Sequence, residues 1–343
     1  MADVVLVALA VVVVTAVFAF TNGFQDSASS VATMIAAGAA TPRQGVLFSA
    51  LFNFIGAVLG GSAVAFTVQG LVSVNVGIEL AAVLLAAVVS ATAWNLVTWW
   101  FGLPSSSTHA LVGGLVGAGI AAAGAGSVSW GLAELANGQL TGISKVVALL
   151  LLSVLAGFLG GYLVKKLSLG LLRNAKRGIN GPIRKSQFLT VAALAFAHGA
   201  NDSQKQMGVM TMALLSAGLV ATASIPVEVR LLCALMVGLG TIGGGWKIMK
   251  TLGRKIYRIK PVDSLGSQIA SVATIVGSTL AGAPVSSNQV VSSSVMGVGA
   301  AENARLVQWS VGKQMVVSWF ITIPAAALLS SLIFIMLEVL IGG

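Results

Sequence analysis

Charge is what this sequence has least of. Its 343 residues include nine acidic and nineteen basic side chains, 8% of the chain, against 57% hydrophobic residues. A soluble domain carries about 25% charged residues, so a water-soluble fold of this length is excluded, and with it a soluble enzyme, a nucleic-acid binder and a disordered chain. The single cysteine, Cys233, rules out an intramolecular disulfide. Two histidines, His109 and His198, with no H-x-x-H or C-x-x-C pattern, rule out a protein-built zinc site. No basic region precedes the first apolar run. Asp3 opens it, so residues 4–20 read as a mature first helix rather than a cleaved signal.

What is abundant is apolar sequence. Hydrophobic runs fall at 4–20, 27–40, 44–68, 80–101, 110–126, 143–164, 188–200, 206–220, 227–249, 267–283, 290–301 and 314–341. At roughly 20 residues per crossing, this predicts an all-α polytopic membrane protein with about 10–12 transmembrane segments. Two intervening stretches, 165–187 and 247–260, hold thirteen Lys and Arg and no acid, which places them in the cytoplasm. Counting crossings outward, with 4–40 and 188–220 each taken as one broken crossing, puts both termini outside in a plasma (inner) membrane. Sixteen of the nineteen basic residues then lie inside, while Asp3, Glu79, Glu134, Glu228 and Glu338 lie outside. The +10 net charge is thus a signature of topology, with no polyanionic or nucleic-acid partner implied.

The chain also repeats itself. Gly23-Phe24-Gln25-Asp26-Ser27 recurs as Gly199-Ala200-Asn201-Asp202-Ser203. Pro104-Ser105-Ser106-Ser107-Thr108-His109, 78 residues after Asp26, recurs as Pro284-Val285-Ser286-Ser287-Asn288-Gln289, 82 residues after Asp202. Each half has an odd number of crossings, so the repeats must have inverted topology. The expected domains are 1–164, a basic linker at 165–187, and 188–343. Inverted repeats with paired helix breaks mark secondary transporters, whose site lies near the bilayer midplane. Whether 80–126 and 267–301 span the membrane or dip in as re-entrant hairpins is left open by hydropathy.

Two carboxylates inside apolar sequence each cost at least ~2.5–3.5 kcal/mol at the bilayer centre, so they need a partner or a function. Asp26 and Asp202 are therefore read as sodium- or proton-coupling residues, with Asn22, Gln25 and Asn201 beside them. Gly23 and Gly199 are expected to unwind the helix there, freeing carbonyls for a hard cation. Ser105, Ser106, Ser107, Thr108, Ser286, Ser287 and Asn288 lie at expected helix N-termini, where hydroxyls and free N–H groups bind anions. Lys205 either contacts that anion or neutralises Asp202. His109 is a candidate oxyanion donor or proton carrier, and its alternative is a bond to a nearby carbonyl. His198, at the place of Asn22, suggests a helix-break role, and Trp94, Trp99 and Trp100 read as interfacial anchors. No nucleophile–base pair is evident, so an enzyme is not expected, nor is any cofactor beyond a transported cation. An anion channel has no need of paired intramembrane acids.

These motifs resemble the inorganic phosphate transporter (PiT) family of cation-coupled permeases nearly end to end. FQDSASSVAT (24–33), AHGANDSQKQMG (197–208) and GGWKIMKTLGRKIYRIKP (244–261) look like bacterial members. The resemblance implies phosphate import by symport with sodium or protons through alternating access, commonly by a homodimer. It also implies phosphate held between the two Ser/Thr segments, beside both repeat aspartates. Three positions depart from the family pattern: Gln25 replaces an Asn, and Asn288 and Gln289 replace a Thr-His pair. Sulfate or another tetrahedral oxyanion is the alternative cargo.

Overall fold

The computed structural model describes residues 2–26, 28–101, 105–243 and 256–342. Pro104, Ser27 and the basic residues Lys247, Lys250, Arg254 and Lys255 lie outside the described residues. Among the described residues there are thirteen α-helices and no strand beyond an isolated Val72–Val128 bridge. The first half contributes α1 (Ala2–Asp26), α2 (Ala28–Ala36), α3 (Pro42–Leu59), α4 (Ala63–Gln69), α5 (Ile78–Phe101), α6 (Ser107–Ala123), α7 (Leu132–Ala136) and α8 (Gly142–Leu171). The second contributes α9 (Asn180–Ser216), α10 (Val227–Gly243), α11 (Pro261–Leu280), α12 (Ser287–Asn303) and α13 (Trp309–Gly342). Five segments are long and apolar enough to cross a membrane: 2–36, α3, α5, α8 and 309–340. Leu155, Leu159 and Leu163 on α8, and Leu328, Leu332 and Met336 on α13, are exposed, as side chains facing hydrocarbon should be.

The two halves interlock. α1 packs on α10 and α9 on α3, while α6 packs on α13 and α12 on α8, so each half supplies the partner of the other's corresponding helix. Within each half, α5 pairs with α6 and α11 with α12 as hairpins. α6 and α12 each have seventeen residues. That is a rise of about 25 Å, short of the ~30 Å hydrocarbon core, and both begin among buried residues. Each hairpin thus pairs a longer helix with one too short to cross the core alone.

Three boundaries differ from expectation. The run 44–68 is two helices, parted at Gly60 and Gly61, the latter with φ +85°. The linker narrows to 172–179 because α8 and α9 extend into it. Most consequentially, α9 is continuous from Asn180 to Ser216, so the break expected at Gly199–Ser203 is absent and no unwound carbonyl flanks Asp202.

Gly199 has another task there. A Cβ on it would lie 2.1 Å from Asn53 O in α3, and a Cβ on Gly56 would lie 2.1 Å from Phe196 O in α9. Gly23 and Gly240 make the same reciprocal crossing, with Cβ positions 2.3 Å from Val237 O and 2.1 Å from Phe20 O. The motif glycines let backbones touch. Gly199→Val is therefore expected to drive α9 off α3, with no cooperative thermal transition for the purified variant. Gly181→Ala, whose added Cβ meets nothing within 4 Å, should unfold like the parent protein.

Candidate functional site

The N-termini of α6 and α12 meet in the interior. Thr108 Oγ1 donates to Val285 O (2.9 Å), tying one hairpin tip to the other. Both aspartates face this junction. Ser107 Oγ donates to Asp26 Oδ2 (2.8 Å) and Asn288 Nδ2 to Asp26 Oδ1 (2.5 Å), so Asp26 is held by both halves at once. Ser287 Oγ donates to Asp202 Oδ2 at 3.4 Å.

The two carboxylates have different company. Lys205 Nζ donates to Asp202 Oδ1, to Thr108 Oγ1 (2.6 Å) and to Val285 O (3.0 Å). His198 Nε2 lies 2.9 Å from Asp202 Oδ2, one turn before it, though off the line of a good hydrogen bond. Asp202 is thus balanced by a lysine of its own helix. Among the described residues no cationic side chain lies within ion-pair distance of Asp26. With both carboxylates and Lys205 ionised, the junction carries one negative charge in excess.

Asn22 and Asn288, beside Asp26, and Asn95, bonded through its carbonyl to the preceding Gln25, carry buried amide oxygens without partners among the described residues. Asn22 Oδ1 sits one turn earlier on α1; its Nδ2 pairs with the Gln206 amide at 3.1 Å once the Gln206 oxygen is turned toward it. Asn288 Oδ1 belongs to the side chain that donates to Asp26. Asn95 Oδ1 on α5 belongs to the residue whose carbonyl accepts from Gln25 Nε2 (2.6 Å). Orphaned buried acceptors are costly, and oxygen donors beside an uncompensated carboxylate are what a hard monovalent cation takes.

The facing helix ends supply the opposite chemistry. Ser106 caps α6, its Oγ accepting from His109 N (3.3 Å), while Ser286 caps α12 without a side-chain cap bond. Among the described residues, the N–H groups of Ser107, Thr108, Ser287 and Asn288 meet no acceptor. Two helix N-termini therefore turn four donors without acceptors among the described residues, and their positive dipole ends, toward one place, an arrangement suited to an oxyanion.

Several residues read from sequence as ligands do something else. Ser105 points away from the junction: its Oγ accepts from Trp94 Nε1 (3.2 Å) and lies 3.3 Å from Thr322 Oγ1. Trp94, read as an interfacial anchor, pins the first hairpin tip to α13, donating also to Thr322 Oγ1 (3.2 Å). Asn201 is occupied in the second tip, donating to Thr279 Oγ1 and Ala283 O (2.9 Å each) and accepting from Val285 N (3.1 Å). Gln25 does the equivalent work in the first half through Asn95 O. His109 turns from the aspartates and stacks on Trp319, with ring centroids 6.3 Å apart and planes at 5°. Asn95 and the approach of His198 to Asp202 were not expected. The i, i+4 spacing of His198 and Asp202 signals that approach only if the helix is continuous.

A model of the phosphate transporter family matches residues 22–179 and again 172–330, one copy per half. The chain belongs to the phosphate transporter family. A Bacillus subtilis (strain 168) protein named "probable low-affinity inorganic phosphate transporter" is 36% identical over 98% of this chain and 99% of its own length. A Mycobacterium tuberculosis (strain H37Rv) protein of the same name is 40% identical over 98% of this chain and 78% of its own. Among solved structures, "the sodium-dependent phosphate transporter" superposes with a TM-score of 0.86 at 25% identity, covering 97% of this chain and 99% of that one. This family member is a multi-pass membrane protein, all-helical, built from two inverted-topology repeats.

Proposed function

We propose that the chain imports inorganic phosphate by symport with sodium, the cation binding at Asp26 and the anion at the facing N-termini of α6 and α12. One observation carries this reading: the uncompensated carboxylate of Asp26 shares its two hydrogen-bond donors, Ser107 and Asn288, with the helix ends that present free N–H groups. Neither ion is stable there alone. A phosphate would meet the excess negative charge, and a buried sodium without an anion would leave four donors unsatisfied. Asp26, Asn22, Asn288 and Asn95 supply oxygens to the cation. The backbone N–H groups of Ser107, Thr108, Ser287 and Asn288 supply donors to the anion. They are joined by Ser286 and by the hydroxyls of Ser107, Thr108 and Ser287 as these turn from Asp26, Val285 O and Asp202, and Lys205 balances the charge of Asp202 within reach of Thr108. Sodium is favoured over protons by the three orphaned amide oxygens, which bind a metal cation and take no proton near neutral pH.

The carrier works by alternating access, the interlocked halves rocking about the junction. The basic segment between α8 and α9 faces the cytoplasm of the inner membrane, with the termini outside, and the assembly is a homodimer.

Labelled phosphate uptake into proteoliposomes tests the cargo. Uptake should follow an inward sodium gradient, ignore a proton gradient alone, saturate, and persist in excess unlabelled sulfate. Uptake abolished by sulfate would assign the site to tetrahedral oxyanions at large. Replacing Ser107, Thr108, Ser286 and Ser287 by Ala is expected to raise the apparent KM for phosphate at least about tenfold, since hydrogen bonds to charged groups contribute about 1.5–3 kcal/mol each.

A further inference from the structure

The two repeats share a fold but differ in polarity on either side of the site. About two turns past Asp26, Thr33 Oγ1 of α2 accepts from Gln268 Nε2 of α11 (3.1 Å). Gln268 Oε1 accepts from Thr190 Oγ1 of α9 (2.5 Å), and its Nε2 also donates to Ser264 Oγ (2.9 Å). Ser264 Oγ donates to Gln187 Oε1 (2.9 Å), and Gln187 Nε2 donates to Pro261 O (3.1 Å) at the start of α11. These bonds run from the neighbourhood of Asp26 to the end of α11 beside Lys260 and Arg258, the basic and therefore cytoplasmic edge. Thr33, Gln187, Ser264 and Gln268 are buried. Through Gln268, α2 of the first repeat is bonded to α9 and α11 of the second.

On the opposite side of the site the same positions are apolar. Asp202 follows Asp26 by 176 residues and Pro284 follows Pro104 by 180. With these offsets Thr33 corresponds to Val209, Thr190 to Val14, Gln187 to Val11, Gln268 to Val88 and Ser264 to Leu84. All five of those counterparts pack in one hydrophobic cluster. A fold that one half builds from valine and leucine does not need amides and hydroxyls in the other, where each buried polar group costs desolvation. Polarity kept at that cost points to use by water or ions. An apolar seal opens only by wetting apolar surface, whereas a hydrogen-bonded one exchanges its partners for water at little net cost. We propose that the bonded chain is the closed inner gate through which phosphate leaves for the cytoplasm, with Gln268 as its latch. The valine cluster is the slower, outer seal. The inference rests on the transport reading above and adds to it which side yields first and through which residue.

The test uses the full chain in membrane vesicles. Ser271 lies about one turn deeper than Gln268 on α11, bonded to Ser294 Oγ (3.1 Å), and its counterpart is Ala91. Ser271→Cys should react with a charged, membrane-impermeant methanethiosulfonate added to inside-out vesicles. That reaction is expected to be at least about tenfold faster than that of Ala91→Cys in right-side-out vesicles. The native Cys233 is fully buried, and the parent chain sets the background. Thr33→Val, Thr190→Val and Gln268→Val together copy the outer seal into the inner gate. This triple variant should melt cooperatively and bind phosphate in sodium as the parent does. Its uptake should fall at least about tenfold, and in its background Ser271→Cys should be protected from the reagent. Uptake and labelling at the parent's rates in the triple variant would overturn the proposal, as would an unreactive Ser271→Cys or equal reactivity at the two positions. Labelling of Ser271→Cys and Ala91→Cys requires neither phosphate nor the triple variant, so it decides the gate even if that variant does not fold. A parent chain that takes up no phosphate would refute the transport reading and leave the gate to be judged by labelling.

Discussion

Asp26→Asn is expected to lower sodium-driven phosphate uptake by at least about a hundredfold while the variant inserts, purifies and melts cooperatively. The asymmetry between the two aspartates is the reason. Asp26 holds hydrogen bonds from Ser107 and Asn288 but no ion pair among the described residues. Its asparagine replacement keeps the oxygen that accepts from Asn288, and the Ser107 hydroxyl can turn to accept from the new amide, so the charge is lost while both contacts persist. Folding therefore changes little, whereas a cation site stripped of its carboxylate loses the interaction that offsets dehydration of the ion. Uptake should be measured alongside thermal unfolding in detergent. Near-normal sodium-driven uptake in the folded variant would remove Asp26 from the coupling site.

Lys205→Met is expected to fail earlier, at folding, and its failure should be reversible by a second change. Lys205 is 2% exposed and its ammonium is shared among Asp202, Thr108 and the Val285 carbonyl. Removing it leaves Asp202 buried without its ion-pair partner, which costs about 3–5 kcal/mol, a large part of the stability of any domain. The double variant Lys205→Met with Asp202→Asn should recover most of the thermal stability, because position 202 then carries no charge to leave unpaired. It should still transport poorly, since Thr108 has lost the group that orders it against Val285. A double variant as unstable as the single one would show that Lys205 stabilises the junction through its bonds to Thr108 and Val285 rather than through Asp202.

Much of this was legible in the sequence for a physical reason. A carboxylate in an apolar run has few explanations, and recurrence of Asp26 and Asp202 ahead of recurring Ser/Thr segments leaves fewer still. The buried starts of α6 and α12 follow from the same segments, because hydroxyl-rich helix starts inside apolar sequence need a buried counterpart; whether their hairpins span or dip in was left open by hydropathy. What sequence did not show was direction. Gly199 is compatible with an unwound helix or with close backbone contact, and only the approach of Asn53 O decides between them. Each residue along a helix turns about 100° from the last. Ser107 and Thr108 therefore face the aspartates, while Ser105, ahead of the cap, faces Trp94 and Thr322, and His109 faces Trp319. Asn95 was missed because a lone Asn in α5 carries no pattern; its role depends on Gln25, seventy residues away.

On the proposed reading, the cation at Asp26 creates the anion site. This dependence is tested most directly by equilibrium binding of labelled phosphate to the purified protein, in excess sodium and in choline at equal ionic strength. Saturable binding is expected in sodium and none in choline, with Asp26→Asn indifferent to the exchange. Phosphate binding of equal affinity in both solutions would contradict it, placing the anion where the charge of Asp26 is not felt.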